Sequence, residues 1–195
     1  MKKKLNQEAG FTLVEMLAAT MVLILLTMML GTGLQMTVRG YQKVTAQSEV
    51  DLMLSTIMDA LVDDLRFAQD YSAEGFSDTD SVPFTYTSDS FEGKIHLEVS
   101  DEEGQVGQIM AIDISQPKPN PMRFLSTGVY GAVTSDGERA YRVTEMSIKP
   151  HPDGSETGAN TFEIYLKVQA VADESIKAEG KVTVRCLNRI IGSSN

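Results

Sequence analysis

Cysteine is almost absent from this chain, and its absence limits both the fold and the way the chain is anchored. The one cysteine, Cys186, cannot form a disulfide within the chain, so the folded body depends on its core alone. Because no cysteine lies near the apolar amino-terminal segment, a lipoprotein anchor is excluded. We expect Cys186 to be a small buried side chain on the inward face of the last strand.

Histidine is nearly as scarce, which limits acid–base and nucleophilic chemistry. The chain contains two histidines, His96 and His151. A catalytic histidine needs a nucleophile and an orienting acid close to it, and no nucleophile elbow or related motif accompanies either one. We expect His96 on the exposed face of a strand and His151 in a turn between prolines. The sequence therefore predicts a protein that is not an enzyme.

Basic residues are scarce beyond the first 40 residues. Those 40 hold four basic and two acidic groups, the remaining residues hold 13 basic and 25 acidic groups, and the chain carries a net charge of −10. Nucleic-acid binding needs a basic footprint. We therefore expect no direct contact between the acidic body and nucleic acid.

Charge is absent from Met16 to Val38, and no proline occurs before Pro83. About 20 apolar residues cross the hydrocarbon core of a bilayer as a helix, and threonine hydroxyls in such a helix bond to its own backbone. The sequence predicts one membrane-spanning helix. The positive-inside rule keeps the amino-terminal lysines in the cytoplasm and places the acidic body outside.

A single carboxylate, Glu15, lies just inside the start of this apolar run. A charge within a span is costly and marks a functional residue. An ordinary secretory signal carries its small-residue cleavage site after the apolar run. In an uncleaved anchor, the acid would have no role and would only make membrane insertion less favourable. A cut between Gly10 and Phe11 instead keeps the helix and creates an amine at Phe11, one helical turn from Glu15.

The lysine-rich leader, the segment GFTLVE at 10–15 and the apolar run resemble the class III signal of type IV pilins and type II secretion pseudopilins. The resemblance implies that residues 1–10 are a leader, which a prepilin peptidase removes by cutting after Gly10. It implies methylation of the new Phe11 amine. It also implies that Glu15 meets the Phe11 amine of an adjacent subunit, and a pairing between neighbours would set their axial register.

The same resemblance implies the partners and the location of the chain. The partners are the prepilin peptidase, other pilin or pseudopilin subunits, the inner-membrane assembly platform, and membrane lipid before assembly. The chain is stored in the cytoplasmic membrane as a single-pass protein with its amino terminus in the cytoplasm. It then enters an extracellular or periplasmic fibre.

Beyond Arg39 the pattern becomes amphipathic. Apolar residues recur at spacings of three and four, the stripe of a helix that lies on a core, at Val50, Leu54, Ile57, Leu61, Leu65 and Ala68. The charged residues of this segment are expected to fall mostly on other faces; they are Asp51, Asp59, Asp63, Asp64 and Arg66. We predict one helix from Phe11 to about Asp70, with a membrane or filament-core part at 11–38 and an amphipathic part at 39–70.

The remaining body, 71–195, is predicted to be β-rich. A polar loop at 72–92 includes a short strand around Phe84–Tyr86, and apolar alternation predicts strands in KIHLEVS, QIMAIDIS, RAYRVTEMSIKP, TFEIYLKVQAV and IKAEGKVTVRCL. A slip in the third of these indicates a bulge. Short connections favour an antiparallel meander. The predicted fold is α+β, a long helix packed on an antiparallel sheet body, which the pilin resemblance implies as well.

The size of the body and its long polar loops resemble minor subunits, in particular J-class minor pseudopilins and Gram-positive competence minor pilins. Many Gram-negative pilins contain a pair of cysteines that form a disulfide. This chain lacks such a pair, which favours a Gram-positive source. A type IV pilus, a competence pilus and a type II secretion pseudopilus all stay open as the machine that the chain serves.

The alternative from another class is a membrane-tethered extracellular binding protein that forms no filament. This alternative leaves the order Gly10–Glu15 unexplained. A tethered hydrolase has no motif in its support.

Acidic loops offer the chain's candidate metal ligands. The segments DTD at 78–80, DEE at 101–103 and DGSE at 153–156 supply the hard oxygen ligands that calcium prefers. None matches the EF-hand pattern, and such loops are usually solvated turns. Some pseudopilins bind calcium, but no ligand carries over to this chain residue by residue. We assign no cofactor and no metal site.

Overall fold

The computed structural model of this protein describes residues 12–69, 76–77, 80–81, 85–88, 90–91, 93–117, 121–150 and 161–187. The fold is α+β, as predicted, with one long helix followed by antiparallel strands. The elements are α1 (Leu13–Arg66), β1 (Phe76–Ser77), β2 (Asp80–Ser81), β3 (Thr85–Thr87), β4 (Lys94–Val99), β5 (Ile109–Asp113), β6 (Pro121–Arg123), a 3-10 turn (Thr127–Tyr130), β7 (Tyr141–Pro150), β8 (Thr161–Ala170) and β9 (Lys177–Arg185).

The strands form three antiparallel sheets. β1 and β2 form a two-stranded ribbon, the next four strands form a sheet in the order β3-β4-β5-β6, and the last three form a sheet in the order β7-β8-β9. Each strand pairs with strands next to it in the chain, which is the predicted meander. The register between β7 and β8 shifts between Val143 and Glu145, so the predicted bulge is confirmed.

Three short strands lie where the sequence predicts none. β1 and β2 fall in the predicted polar loop, and β6 begins at Pro121, between two of the predicted strands. Strands of two or three residues are too short to show a period of two, and every residue of β6 is exposed. The strand expected around Phe84–Tyr86 is present as β3, shifted by one residue.

The helix ends at Arg66, four residues before the predicted end. The last turn tightens, because Phe67 and Ala68 donate their backbone N–H groups to carbonyls three residues earlier. Gln69 then exchanges two backbone hydrogen bonds with Thr87 of β3, at 2.9 and 2.7 Å. The chain leaves the helix at this point because its backbone groups bond to the sheet instead.

The chain forms two compact units, residues 1–44 and 45–195, and α1 contributes to both. Within the second unit, α1 buries the predicted apolar stripe. The stripe residues are fully buried at Val50, Ile57, Leu61, Leu65 and Ala68 and partly buried at Leu54. This stripe joins inward side chains of both larger sheets in one hydrophobic core.

Asp64 is the exception among the acidic residues that the sequence places mostly off the apolar stripe, because it is only 8% exposed. Position 64 lies three residues after Leu61 and four before Ala68, so it belongs to the buried stripe. The hydroxyls of Tyr86 and Ser88 both donate to its carboxylate, the latter at 2.6 Å. Burial, together with the Asp64 charge, raises the pKa of Tyr86 above its ordinary value. The acid can be buried because Tyr86 of β3 and Ser88, which follows the strand, supply it with donors.

Strand β9 follows the helix from Gln47 to Arg66. At one end Gln47 Nε2 donates to the Lys177 carbonyl at 3.2 Å, and at the other Leu187 N donates to the Arg66 carbonyl at 2.8 Å. Cys186, adjacent to the latter contact, is 3% exposed. The prediction of a buried thiol on the inward face is therefore confirmed.

The two larger sheets meet at Gly107. Val143 N donates to the Gly107 carbonyl at 2.9 Å. Gly107 has a φ of +73°, and a Cβ at this position would lie 2.3 Å from Arg142 Cβ, so only glycine fits here. Nearby, Ile109 N donates to the Tyr130 hydroxyl at 2.9 Å, and burial raises the pKa of Tyr130 to about 12.

Asp64 should be needed for the stability of the body. Asp64→Ala leaves two buried hydroxyls without their acceptor, so we expect the free energy of unfolding to fall by about 1–3 kcal/mol. Asp63→Ala is the matched control, because the Asp63 side chain is 76% exposed and the expected change is within about 0.5 kcal/mol. Urea titration of the full chain in detergent micelles, followed by near-ultraviolet circular dichroism, measures both. Equal losses in the two variants would contradict the role of Asp64.

Candidate processing and assembly site

The described part of the predicted site is the first turn of α1. Glu15 Oε2 accepts hydrogen bonds from the backbone N and the Oγ1 of Thr12, each at 3.0 Å. In return, Thr12 Oγ1 accepts a hydrogen bond from Glu15 N at 3.3 Å. This reciprocal arrangement is a capping box, which satisfies backbone donors that a helix start otherwise leaves free.

Glu15 thus has a structural use that the sequence prediction lacked. The sequence does contain the signal for a capping box, since Thr12 and Glu15 form the pattern T-x-x-E ahead of an apolar run. The predicted cleavage pair, Gly10 and Phe11, lies outside the described residues. The contact between Glu15 and a Phe11 amine therefore stays a prediction, and the structure brings Glu15 together with Thr12.

The helix surface that follows the capping box is uncovered, and it carries no charge from Met16 to Val38. Every residue from Thr12 to Val44 is exposed, and the large apolar side chains from Leu13 to Val44 are 52–78% exposed. The most apolar 18-residue window has a mean hydropathy of 2.3 and no buried part. By length and composition, this helix is able to cross a membrane.

Threonine hydroxyls within the apolar segment bond to the helix itself, as predicted. They donate to backbone carbonyls three or four residues earlier, at distances between 2.8 and 3.2 Å, from Thr20, Thr27, Thr32 and Thr37. A hydroxyl that is satisfied in this way adds little polarity to the helix surface. The threonines are therefore compatible with an apolar environment.

The candidate calcium loops form no metal site in the part of the chain that the structure describes. No group of three His, Cys, Asp or Glu side chains is placed to hold a metal ion among these residues. The segment at 101–103 is exposed, while 78–79 and 153–156 lie outside the described residues. The calcium hypothesis has no geometric support from the described loop.

His96 is less exposed than predicted, with 19% of its side-chain surface accessible. It lies opposite Thr85 and Ile112 in the four-stranded sheet, so strands flank it on both sides. Its Nε2 lies 4.0 Å from the carboxylate of Glu98. His151 falls outside the described residues.

A cleft of about 760 Å³ lies between β4 and the edge strand β7. Leu97 and Val99 line one side, and Val143 and Met146 line the other. Arg142 Nε is buried here with no hydrogen-bond partner among the described residues. The volume is in the range of small-molecule sites. No sequence motif indicates this cleft, because its walls come from strands far apart in the chain.

Three comparisons with known proteins found no match to this chain: no family model, no curated protein and no solved structure. Inferences about its function therefore come from its own residues and geometry.

The capping box should control fraying at the start of α1. Replacing an N-cap threonine by alanine costs about 1 kcal/mol, so Thr12→Ala should speed hydrogen exchange at the first-turn amides. Nuclear magnetic resonance of the full chain in micelles measures these rates. Thr20→Ala removes a hydroxyl bonded further along the helix, to the Leu17 carbonyl, and should leave them unchanged. Identical first-turn exchange in the two variants would argue against the cap.

Proposed function

We propose that this chain is a minor pilin or pseudopilin, a structural subunit of a type IV pilus, a competence pilus or a type II secretion pseudopilus. One observation carries the proposal. A single carboxylate, Glu15, stands in the first turn of a helix that is apolar as far as Val38 and exposed as far as Val44. The order Gly10–Phe11 directly precedes that turn. A membrane anchor alone requires neither the acid nor this order.

The exposed apolar surface needs a cover that this chain's described residues do not provide. Moving a leucine, isoleucine or valine side chain out of water contributes about 1.5–3 kcal/mol. The membrane supplies such a cover before assembly, and the helices of neighbouring subunits supply it in a fibre. Because lipid tails are about as apolar as leucine, the hydrophobic effect barely distinguishes the two. The helix therefore passes from membrane to fibre at little hydrophobic cost.

Glu15 supplies the preference for the fibre. In lipid, its carboxylate is the group that fits the surroundings least, and the capping box keeps it hydrogen-bonded to Thr12. Cleavage after Gly10 creates a positively charged amine at Phe11. Charge-assisted hydrogen bonds are roughly twice as strong as neutral ones. Pairing with the amine of a neighbouring subunit therefore favours assembly and fixes the axial register.

The location and partners of the chain follow from its storage in the membrane, its cleavage after Gly10 and its assembly into a fibre. The lysine-rich leader holds the amino terminus in the cytoplasm, and the acidic body lies outside the cytoplasmic membrane until the chain joins a fibre. The partners are the prepilin peptidase, the inner-membrane assembly platform, other subunits and, before assembly, lipid. The chain is a substrate of the peptidase and performs no catalysis of its own.

The second candidate is a membrane-tethered extracellular binding protein that forms no fibre. The cleft between β4 and β7 favours it, because its volume of about 760 Å³ suits a small ligand. The buried Nε of Arg142 offers a donor there. This candidate predicts no role for the charge of Glu15.

Glu15→Gln separates the two uses of this side chain. Glutamine also completes a capping box, but it has no charge to pair with an amine. We expect normal membrane insertion and a drop of about tenfold or more in the fibre fraction, as for other lost charge pairs. Immunoblots of membrane and fibre fractions from the native cell, grown under fibre-producing conditions, measure both quantities.

Thr12→Ala is the matched control for this experiment, because it removes the cap and keeps the charge. We expect it to enter the fibre at a level close to that of the unchanged chain. Equal incorporation of Glu15→Gln and Thr12→Ala would contradict the pairing role and leave the tethered binding protein as the better account.

A further inference from the structure

The outward face of the three-stranded sheet is basic, although the chain as a whole is acidic. Alternation along β8 buries Phe162, Ile164, Leu166 and Val168, so the intervening residues and their cross-strand partners point outward. These outward residues include Arg142, Lys149, Lys167, Lys177, Lys181 and Arg185, together with Glu145, Glu163 and Glu179. We call this surface the basic sheet face.

The charge of the basic sheet face opposes that of the rest of the chain. Its six basic and three acidic side chains give a net charge of +3, and subtracting this from the chain's −10 leaves −13 elsewhere. Among the described residues of the body, this face therefore has the opposite sign to the charge of the rest of the chain. An acidic partner complements it, and the chain itself carries such surface in excess.

Part of the charge on the basic sheet face is paired internally. Lys167 bonds to Glu145, and Lys181 Nζ lies 2.7 Å from Glu163. Arg142 lies 3.5 Å from Glu174, in the turn next to the face. By contrast, Lys149 and Lys177 have no carboxylate within salt-bridge distance among the described residues, and both are exposed. These two lysines lie near opposite ends of the face and are available to a partner.

The inner side of the same sheet is covered by α1. A Cβ at Gly180 of β9 would lie 3.2 Å from Met58 Cε and 3.4 Å from Leu54 Cδ2. The helix and the sheet therefore pack closely, with the buried stripe between them. The exposed side of the helix and the basic sheet face consequently lie on opposite sides of this unit.

The exposed side of this helix segment is acidic. Asp51, Asp59 and Asp63 are exposed. Asp59 and Asp63, four residues apart, lie on the side of the helix away from the buried stripe. Asp51 lies at the edge of that side, next to β9, because Gln47 Nε2 donates to Asp51 Oδ1 at 3.1 Å and to the Lys177 carbonyl at 3.2 Å. Arg66, which lies 4.0 Å from Asp63, is the only basic residue from Thr45 to Arg66. We call the three aspartates the acidic helix face.

We infer that the basic sheet face of one copy docks against the acidic helix face of a second copy. The two surfaces are complementary in charge and belong to different sides of one body. A contact between two different surfaces is heterologous, and repeats of it form an open filament unless the rotation closes a ring. Opposite charges orient such a contact more than they strengthen it, so it fixes how neighbouring bodies stack.

This inference rests on the proposed function, because the fibre brings the bodies side by side. Its test uses the full chain in phosphatidylcholine vesicles, which have no net charge to compete for the basic sheet face. Equal amounts of ¹⁴N- and ¹⁵N-labelled chain are treated with a carbodiimide, which joins carboxylates to amines that touch. Mass spectrometry then identifies mixed-isotope peptides. We expect links from Lys149 or Lys177 to the acidic helix face, decreasing as salt is added.

Charge reversal tests the orientation of the contact. Lys149→Glu with Lys177→Glu should lower the yield of intermolecular links at the remaining lysines of the face by at least about fivefold. Asp59→Lys with Asp63→Lys should lower it by a similar factor. Combining all four substitutions should restore linking, with donors and acceptors exchanged. Asp136→Lys with Glu138→Lys makes the same charge change as the helix variant at an exposed turn and should have no effect.

Three results would overturn the inference. The first is that the helix variant with reversed charges gives as many intermolecular links as the unchanged chain. The second is that the variant combining all four substitutions does not recover the yield of links. The third is that no links form although the basic sheet face binds anionic vesicles or DNA at the same salt concentration. Failure here, with Glu15→Gln still excluded from fibres, would reject the docking alone. Recovery in the combined variant, with Glu15→Gln still incorporated, would reject the fibre proposal and keep the contact.

Discussion

The uncovered apolar surface of α1 is the constraint on which the rest of this protein depends. From Leu13 to Val44 the helix presents large apolar side chains to its surroundings, and the chain's described residues do not cover them. Such a surface requires lipid or other helices. The remaining features of the protein are consistent with that requirement, since the body is acidic, charged on its outside and closed around its own core.

The same helix is also a core element of the body, and this double use shapes the packing. Its residues from Val50 to Leu65 supply one wall of the hydrophobic core. Asp64 accepts hydrogen bonds from Tyr86 of β3 and from Ser88 just after it. β9 and the residues after it bond to the helix at both Gln47 and Arg66. The helix therefore cannot leave the body without exposing the core and leaving two hydroxyls without their acceptor.

Much of this fold could be predicted because its long elements have clear periods. The stripe from Val50 to Ala68 and the alternation along β8 each repeat several times, so a single exception does not obscure them. Elements of two or three residues, such as β6, show no period. Asp64 was misplaced because burial of an acid depends on donors from β3, which is distant in sequence. The cleft beside β7 and the basic sheet face depend on strand pairing and are equally absent from any local pattern.

Amino-terminal mass spectrometry of the protein from its native membrane tests the central claim most directly. Processing at Gly10 connects the leader, the apolar helix and Glu15 in one mechanism. The account predicts a mature chain that begins at N-methylated Phe11. A chain that still begins at Met1, or one that begins beyond Val38, would contradict it, because neither would present an amine to Glu15 at the start of an intact apolar helix.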